Sequence, residues 1–443
     1  MNRMSRHCSV AALLLGCLLV ATGRAQYVED SIDVGARGVG CLAYNSRADV
    51  LYGASEDGVF FAISCDSNKV VGSFPLQHAL MVAYDSSDNR AYCTFHDDSL
   101  LVVDGVSHAR IKSMPMDGAT VPVWDPVSDR VYVSCQSSNS VAVVDCATDS
   151  LLTNIPVGAA PIEMYINTTR HKLYVLNYDA GTASIVDLAT NQVIKTVDVG
   201  GNTSTGYYCR VADKFYGGGA FRQCIVIGGQ SDSVVADITL PGNVGVISAT
   251  GNEDAGLVYL GTSSGSDDYV ATVLTQSDSI LATTIIGLEP FGLACSGRSG
   301  FLYCASAITD EVRVLAGDGG QILNTLQVGD YPYVFAVVPR HDRVYLGHLN
   351  GTYVYVIRDT AAGIAETDAG GGFAGRDVAS TLVRGRLLLA SDVQEANLVD
   401  LAGSVRMALH AGDNDVSRLA PGVYFVLGAQ AQAQAARKVI VRR

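Results

Sequence analysis

An all-β chain, most of it a β-propeller of eight four-stranded blades, is the fold this sequence predicts, and three observations predict it. A tyrosine recurs at positions 52, 92, 132, 174, 216, 259, 303 and 345, in steps of 40, 40, 42, 42, 43, 44 and 42 residues. Around each tyrosine lie short apolar runs rich in Val and Ile, separated by turns rich in Asn, Asp, Ser and Gly. Charged residues are only 17% of the 443, against 46 Gly and 21 Tyr, as expected of many short strands joined by tight turns. Repeats of 40–50 residues holding four strands each are the mark of a propeller, whereas helical repeats of that length would show a 3.6-residue period.

The first segment reads as an address. Arg3 and Arg6 precede an apolar run over 10–21, and Gly23-Arg24-Ala25 offers small residues for cleavage between Ala25 and Gln26, which predicts a signal peptide over 1–25. Leu14-Leu15-Gly16-Cys17 loosely matches a lipid-attachment box, but Leu18-Leu19-Val20 carry the apolar core past the cysteine. No later run is long and apolar enough to be a membrane-spanning helix.

Each repeat then reads as four strands. In the unit around Tyr132 the order is an apolar innermost strand, Arg130-Val131-Tyr132-Val133, Val141-Ala142-Val143-Val144-Asp145, and Ile155-Pro156-Val157-Gly158 leading to Pro161. The same order recurs at Lys172-Leu173-Tyr174-Val175, Ala183-Ser184-Ile185-Val186-Asp187 and Thr196-Val197-Asp198-Val199-Gly200. Asp104, Asp145 and Asp187 share one repeat position, where a short carboxylate caps the following turn through the backbone. The last unit lacks its fourth strand. Ser31-Ile32-Asp33-Val34-Gly35 has the missing pattern, so residues 31–35 are expected to complete the final blade and close the ring. Seven blades is the alternative count, because Gly217-Gly218-Gly219 makes the unit around Tyr216 degenerate.

The Tyr-Val, Val-Val-Asp and Pro-Val-Gly-x-x-Pro elements resemble the YVTN family of propeller repeats over residues 26–360. The resemblance implies an extracellular interaction scaffold and no particular reaction. Residues 361–375, with Gly370-Gly371-Gly372, read as a Gly/Ala-rich linker, and 376–443 as a small Ig-like β-sandwich. Within it Leu419, Pro421, Gly422, Val423 and Tyr424, followed by Arg437 and Lys438, resemble the type A sorting domain of the type IX secretion system. That resemblance implies passage through an outer-membrane secretion apparatus to the medium or the bacterial cell surface.

Charge and cysteines narrow the function. With 30 Lys and Arg against 44 Asp and Glu the formal charge is −14, which argues against nucleic acid as partner. Of 11 cysteines, nine lie beyond the expected signal, an odd number at dispersed spacings that is no disulfide framework. No phosphate loop, nucleophile elbow, zinc-protease or EF-hand motif is present, and neither a cofactor nor a metal is expected. Strand order places His78, His96, Asp97, Asp98, Asp267, Asp268 and His348 on one face, in loops around the channel mouth, as candidate ligand-binding residues. The reading is a secreted or surface scaffold that binds protein, glycan or a cell-envelope component. The alternative is a lactonase-like or quinoprotein-like enzyme with a metal at the channel mouth.

Overall fold

The computed structural model describes residues 26–76, 78–95, 98–219, 223–242, 244–264 and 268–359. In the C-terminal part it describes 381–383, 386–389, 395–400, 405–410, 412–420, 422–428 and 437–441. Eight four-stranded antiparallel sheets form the first unit, which settles the count against seven. We number the blades 1 to 8 by their tyrosines: 39–75, 79–115, 119–156, 161–198, 203–239, 245–287, 292–327, and 332–359 joined by 26–33. Each innermost strand packs on the next, and that of blade 8 on that of blade 1, so the ring is closed.

Closure runs through the strand Gln26–Asp33, which pairs antiparallel with Tyr353–Asp359 as the outermost strand of blade 8. It starts five residues earlier than the pattern at 31–35 suggests and ends at Asp33. There the Gly35 N–H donates to Asp33 Oδ1 at 2.9 Å and Gly35 takes a φ of 77°, turning the chain inward toward blade 1. In blade 5 the three glycines are a packing device. A Cβ at Gly218 would stand 2.5 Å from Val246 of blade 6, and one at Gly219 would stand 2.2 Å from the Asn202 carbonyl oxygen.

The recurring tyrosine has a physical reason that the structure makes visible. All eight rings are fully buried, and seven of the hydroxyls reach out of their own blade, while that of Tyr174 accepts from Asn167 within it. Tyr92, Tyr132, Tyr216 and Tyr345 donate at 2.8–3.1 Å to Asp149, Asn191, Asp278 and Asn68. Each acceptor sits at positive φ in the turn between the third and fourth strands of the following blade. The last of these bonds runs from blade 8 to blade 1. Basic residues two positions before three of the tyrosines repeat the link, as Arg90 to Asp149 at 2.8 Å, Lys172 to Asp232 at 2.7 Å and Lys214 to Asp278 at 2.7 Å. The tyrosine period is therefore the period of inter-blade fastening.

Asp104, Asp145 and Asp187 do cap turns. Their Oδ1 atoms accept the backbone N–H groups of Ser107 at 2.7 Å, Thr148 at 2.9 Å and Thr190 at 2.8 Å. All nine cysteines from Cys41 to Cys304 are free thiols, eight of them buried, and they serve the core as small hydrophobes.

The chain divides near residue 363 into two units. The second holds a five-stranded sheet in the order Thr381–Val383, Arg437–Val441, Gly422–Gly428, Glu395–Asp400, Val405–His410, and a hairpin-like pair of Arg386–Leu389 with Gly412–Asp415. Leu387, Ala396, Leu398, Leu409, Val416 and Tyr424 make its core. Tyr424 is buried and its hydroxyl donates to the Ala420 carbonyl at 2.9 Å, which fixes the turn ahead of its own strand. Leu419 packs half-buried on that core, Gly422 and Val423 open the strand, and Arg437 and Lys438 begin the strand that pairs with it. Pro421 and Ala25 lie outside the described residues. Among the described residues no helix is long and apolar enough to cross a membrane.

Candidate functional site

Among the described candidates, Asp98, Asp268 and His348 each bond to partners of their own. His96, Asp97 and Asp267 lie outside the described residues. His78 is exposed at a φ of 53°, the left-handed residue immediately ahead of an innermost strand, a place taken elsewhere by Gly38, Gly118, Ala160 and Tyr331. Asp98 also adopts a positive φ, and its Oδ1 accepts the Gly118 N–H at 2.9 Å. Asn139 and Asp310 make the same bond, to the N–H groups of Ala160 and Tyr331, both at 2.9 Å. Asp268 is buried and accepts from the Ser264 N–H at 2.6 Å and the Glu289 N–H at 2.8 Å. These carboxylates brace the connections between blades, so their lone pairs are committed to backbone donors. His348 is buried against the ring of Tyr355, with Nδ1 3.3 Å from the Tyr353 carbonyl oxygen. Burial holds its imidazole down to about 4, so it is neutral at physiological pH.

The channel offers a different constellation. Glu163, third residue of the innermost strand Pro161–Asn167, is the one charged residue among the eight innermost strands apart from Asp85 and Asp125 at strand ends. Burial pushes its carboxyl up to about 7. Desolvation disfavours the ionised form, so the fold loses stability as pH rises from the ordinary carboxylate range through about 7. Tyr333 stands on blade 8, diametrically opposite blade 4. Burial raises its phenol first, and the fields of Glu163 and Glu56 raise it further. Glu163 and Tyr333 thus belong to innermost strands of opposite blades, the strands that surround the central channel.

At the mouth above Tyr333 the aromatic rings continue. Phe291, just ahead of the innermost strand of blade 7, has its ring centroid 5.4 Å from that of Tyr333 and 6.3 Å from that of Tyr331. All three rings are half-buried. The Tyr331 hydroxyl donates to Glu289 Oε2 at 2.7 Å, which fixes the ring's orientation. The result is a partly exposed aromatic platform of three rings at one mouth of the channel, with Glu163 on the innermost strand of the opposite blade. A π-face and a strong acceptor together suit a ligand with apolar faces and hydroxyl or N–H donors. The platform escapes a linear reading because Phe291 and Tyr333 come from different blades. Glu163 was missed as well, although aligning the eight innermost strands makes its charge stand out.

No protein-family model matches the chain. Over 141 residues, 30% of this chain, it is 27% identical to the uncharacterized protein YncE of Salmonella typhi, and equally to that of Salmonella typhimurium. The match spans 40% of the length of these relatives. Among solved structures, BamB from Moraxella catarrhalis superposes with a TM-score of 0.58 at 14% identity, covering 75% of this chain and 99% of that one. The dihydro-heme d1 dehydrogenase NirN, in complex with DHE, gives 0.62 at 15% identity over 72% of each chain. At these identities the likeness is one of fold.

Proposed function

We propose that the ring is an exported ligand-binding scaffold whose binding surface is the aromatic channel mouth, and that its ligand is a glycan. The carrying observation is the platform of Phe291, Tyr331 and Tyr333 at the channel mouth, with Glu163 on the innermost strand of the opposite blade. Sugar rings present apolar C–H faces for stacking and hydroxyls for a carboxylate. The enzyme alternative calls for a convergent acid and base, or a metal, at the mouth. Among the described residues Glu163 is the one charged residue within an innermost strand, Glu289 is bonded to Tyr331, and Asp268 is bonded to backbone N–H groups.

Titration of the full chain with neutral oligosaccharides and with peptidoglycan fragments tests this reading. Tyr333→Ala and Phe291→Ala should each weaken binding about tenfold, roughly 1.4 kcal/mol, with thermal unfolding little changed. A carboxylate accepts hydroxyl donors better than a carboxylic acid, so affinity should rise as pH passes upward through about 7. Glu163→Gln should flatten that rise. Binding indifferent to all three substitutions sinks the assignment.

The signal-like segment 1–25 and the run 419–424 with Arg437 and Lys438 support export through Sec and then a type IX route, with the medium or outer cell surface of a bacterium as destination. A chain ending at Asp359 that still reaches the surface of a type IX host removes the second half of that route.

A further inference from the structure

The turn face, opposite the channel mouth, carries a side-chain pairing rule with one exception. At the junctions of blades 1 to 5, the last residue of each innermost strand meets the left-handed residue of the first turn in the following blade. In three of the four the pair is a donor and an acceptor. Asn45 Nδ2 donates to Asn89 Oδ1 at 2.9 Å, His171 Nε2 lies 2.7 Å from Asp125 Oδ2, and Asn167 Nδ2 donates to Asp213 Oδ1 at 3.2 Å. At the junction of blades 2 and 3 the corresponding residues are Asp85 and Asp129, two acceptors. The residue that follows the third strand is Gly105, Leu188 and Gly229 at the other three junctions, and here it is Cys146.

Ligand atoms of Asp85, Asp129 and Cys146 lie within 4.8 Å of one another. Asp85 and Cys146 are both fully buried. Asp85 Oδ1 accepts the Ser87 N–H at 2.7 Å, while Oδ2 is buried with no hydrogen-bond partner. Asp129 Oδ1 accepts from Trp124 Nε1 at 3.2 Å. The neighbouring cation Arg90 is committed to Asp149 at 2.8 Å and to the Cys146 carbonyl at 2.6 Å. A buried carboxylate oxygen without a donor, set against a second carboxylate, is costly unless something positive lies between them.

We propose that Asp85, Asp129 and Cys146 bind a divalent cation of zinc type that fastens blade 2 to blade 3. Two hard oxygens and one sulfur suit Zn²⁺, which takes carboxylate and thiolate together, with a fourth position for water. Binding deprotonates the Cys146 thiol and releases its proton to solvent. Burial and the surrounding carboxylates hold that thiol up at about 12, so the metal is what makes it a ligand. The cation does at this junction what an amide or imidazole does at the other three.

The test uses the full chain stripped with a chelator and then given Zn²⁺ or Co²⁺ alone. One equivalent of Zn²⁺ should bind and raise the melting temperature, and Co²⁺ should give a thiolate-to-cobalt charge-transfer band in the near ultraviolet. Asp85→Asn and Cys146→Ser should each lower Zn²⁺ affinity at least tenfold, and the second should abolish the cobalt band. Asp129→Asn sets an amide donor against Asp85, the kind of pair that Asn167 and Asp213 make, and should remove the response of melting temperature to Zn²⁺ while the protein stays folded. The cobalt spectrum of the unsubstituted chain decides the matter even if a variant fails to fold. Absence of that band, or Zn²⁺ affinity unchanged in Cys146→Ser, overturns the proposal. So does a melting temperature that Asp129→Asn raises in a chain that takes up no metal, since the two carboxylates would then be sharing a proton.

Discussion

Deleting residues 26–33 is expected to lower stability by on the order of 5–10 kcal/mol and to replace one sharp melting transition with a broad one. The strand Gln26–Asp33 pairs along the whole of Tyr353–Asp359, and without it blade 8 keeps three strands and a bare edge. Ile32 leaves the core it shares with Phe61, Tyr345 and Val354. Glu29 leaves a pocket where Arg343 donates to both its oxygens, at 2.9 and 2.6 Å, and Arg358 donates at 3.2 Å. Those hydrogen bonds, those from Arg343 first, hold the Glu29 carboxyl below its usual range. Arg343 would keep only the Cys65 carbonyl, at 2.5 Å, with its side chain mostly shielded from water. Removing one partner of such a pair costs about 3–5 kcal/mol when the other stays buried, so Glu29→Ala alone should show a large part of the loss. A synthetic peptide of residues 26–33 added to the deleted chain should restore part of the melting temperature by supplying the strand in trans. Calorimetry of the three proteins decides it, and a deleted chain that melts within about 2 °C of the whole one contradicts the closure account.

That closure was legible because a repeat array announces its own gaps: seven units end in a fourth strand, the eighth does not, and residues 31–35 carry the missing pattern at the other end. The tyrosines and the turn aspartates were legible for the same reason, each being a position multiplied by the repeat. Single loop residues were not. Asp98 and Asp268 look like ligands in isolation, and only their backbone partners some 20 residues onward reveal them as braces. The hint available was that Asn139 and Asp310 occupy the position of Asp98 in their own repeats. His348 closes a strand and turns inward, which a sequence of alternating residues does not distinguish from turning out. The platform of Phe291, Tyr331 and Tyr333 depends on two blades meeting, and the unpaired carboxylate of Asp85 on what its partner in the next blade fails to donate. In the C-terminal unit, the strands Val405–His410 and Gly412–Asp415 went unseen because Arg, His, Asn and Asp interrupt the apolar alternation that marks a strand.

Tyr303→Phe is expected to cost about 1.5–3 kcal/mol, more than the same change at Tyr132. The difference lies in the acceptor. Tyr132 donates to the amide oxygen of Asn191, a neutral group, whereas Tyr303 donates at 2.6 Å to Asp359 Oδ1. Asp359 is buried, and its other oxygen accepts from the Ser296 hydroxyl. The bond crosses from blade 7 to blade 8, where the closing strand is held. Phenylalanine keeps the ring and its packing against Val314, Leu326 and Leu346, and removes one of two side-chain donors to a buried carboxylate. At Tyr132 the same change should cost about 1 kcal/mol. Tyr303→Ala adds a cavity to the lost bond and should cost about 3–5 kcal/mol, enough to bring unfolding near working temperature. Denaturant midpoints for Tyr132→Phe, Tyr303→Phe and Tyr303→Ala place these on one scale. Equal losses in the two phenylalanine variants would mean that the charge of the acceptor adds nothing, and no loss in either would leave the fastening of blade to blade to the apolar core and the lysine and arginine pairs.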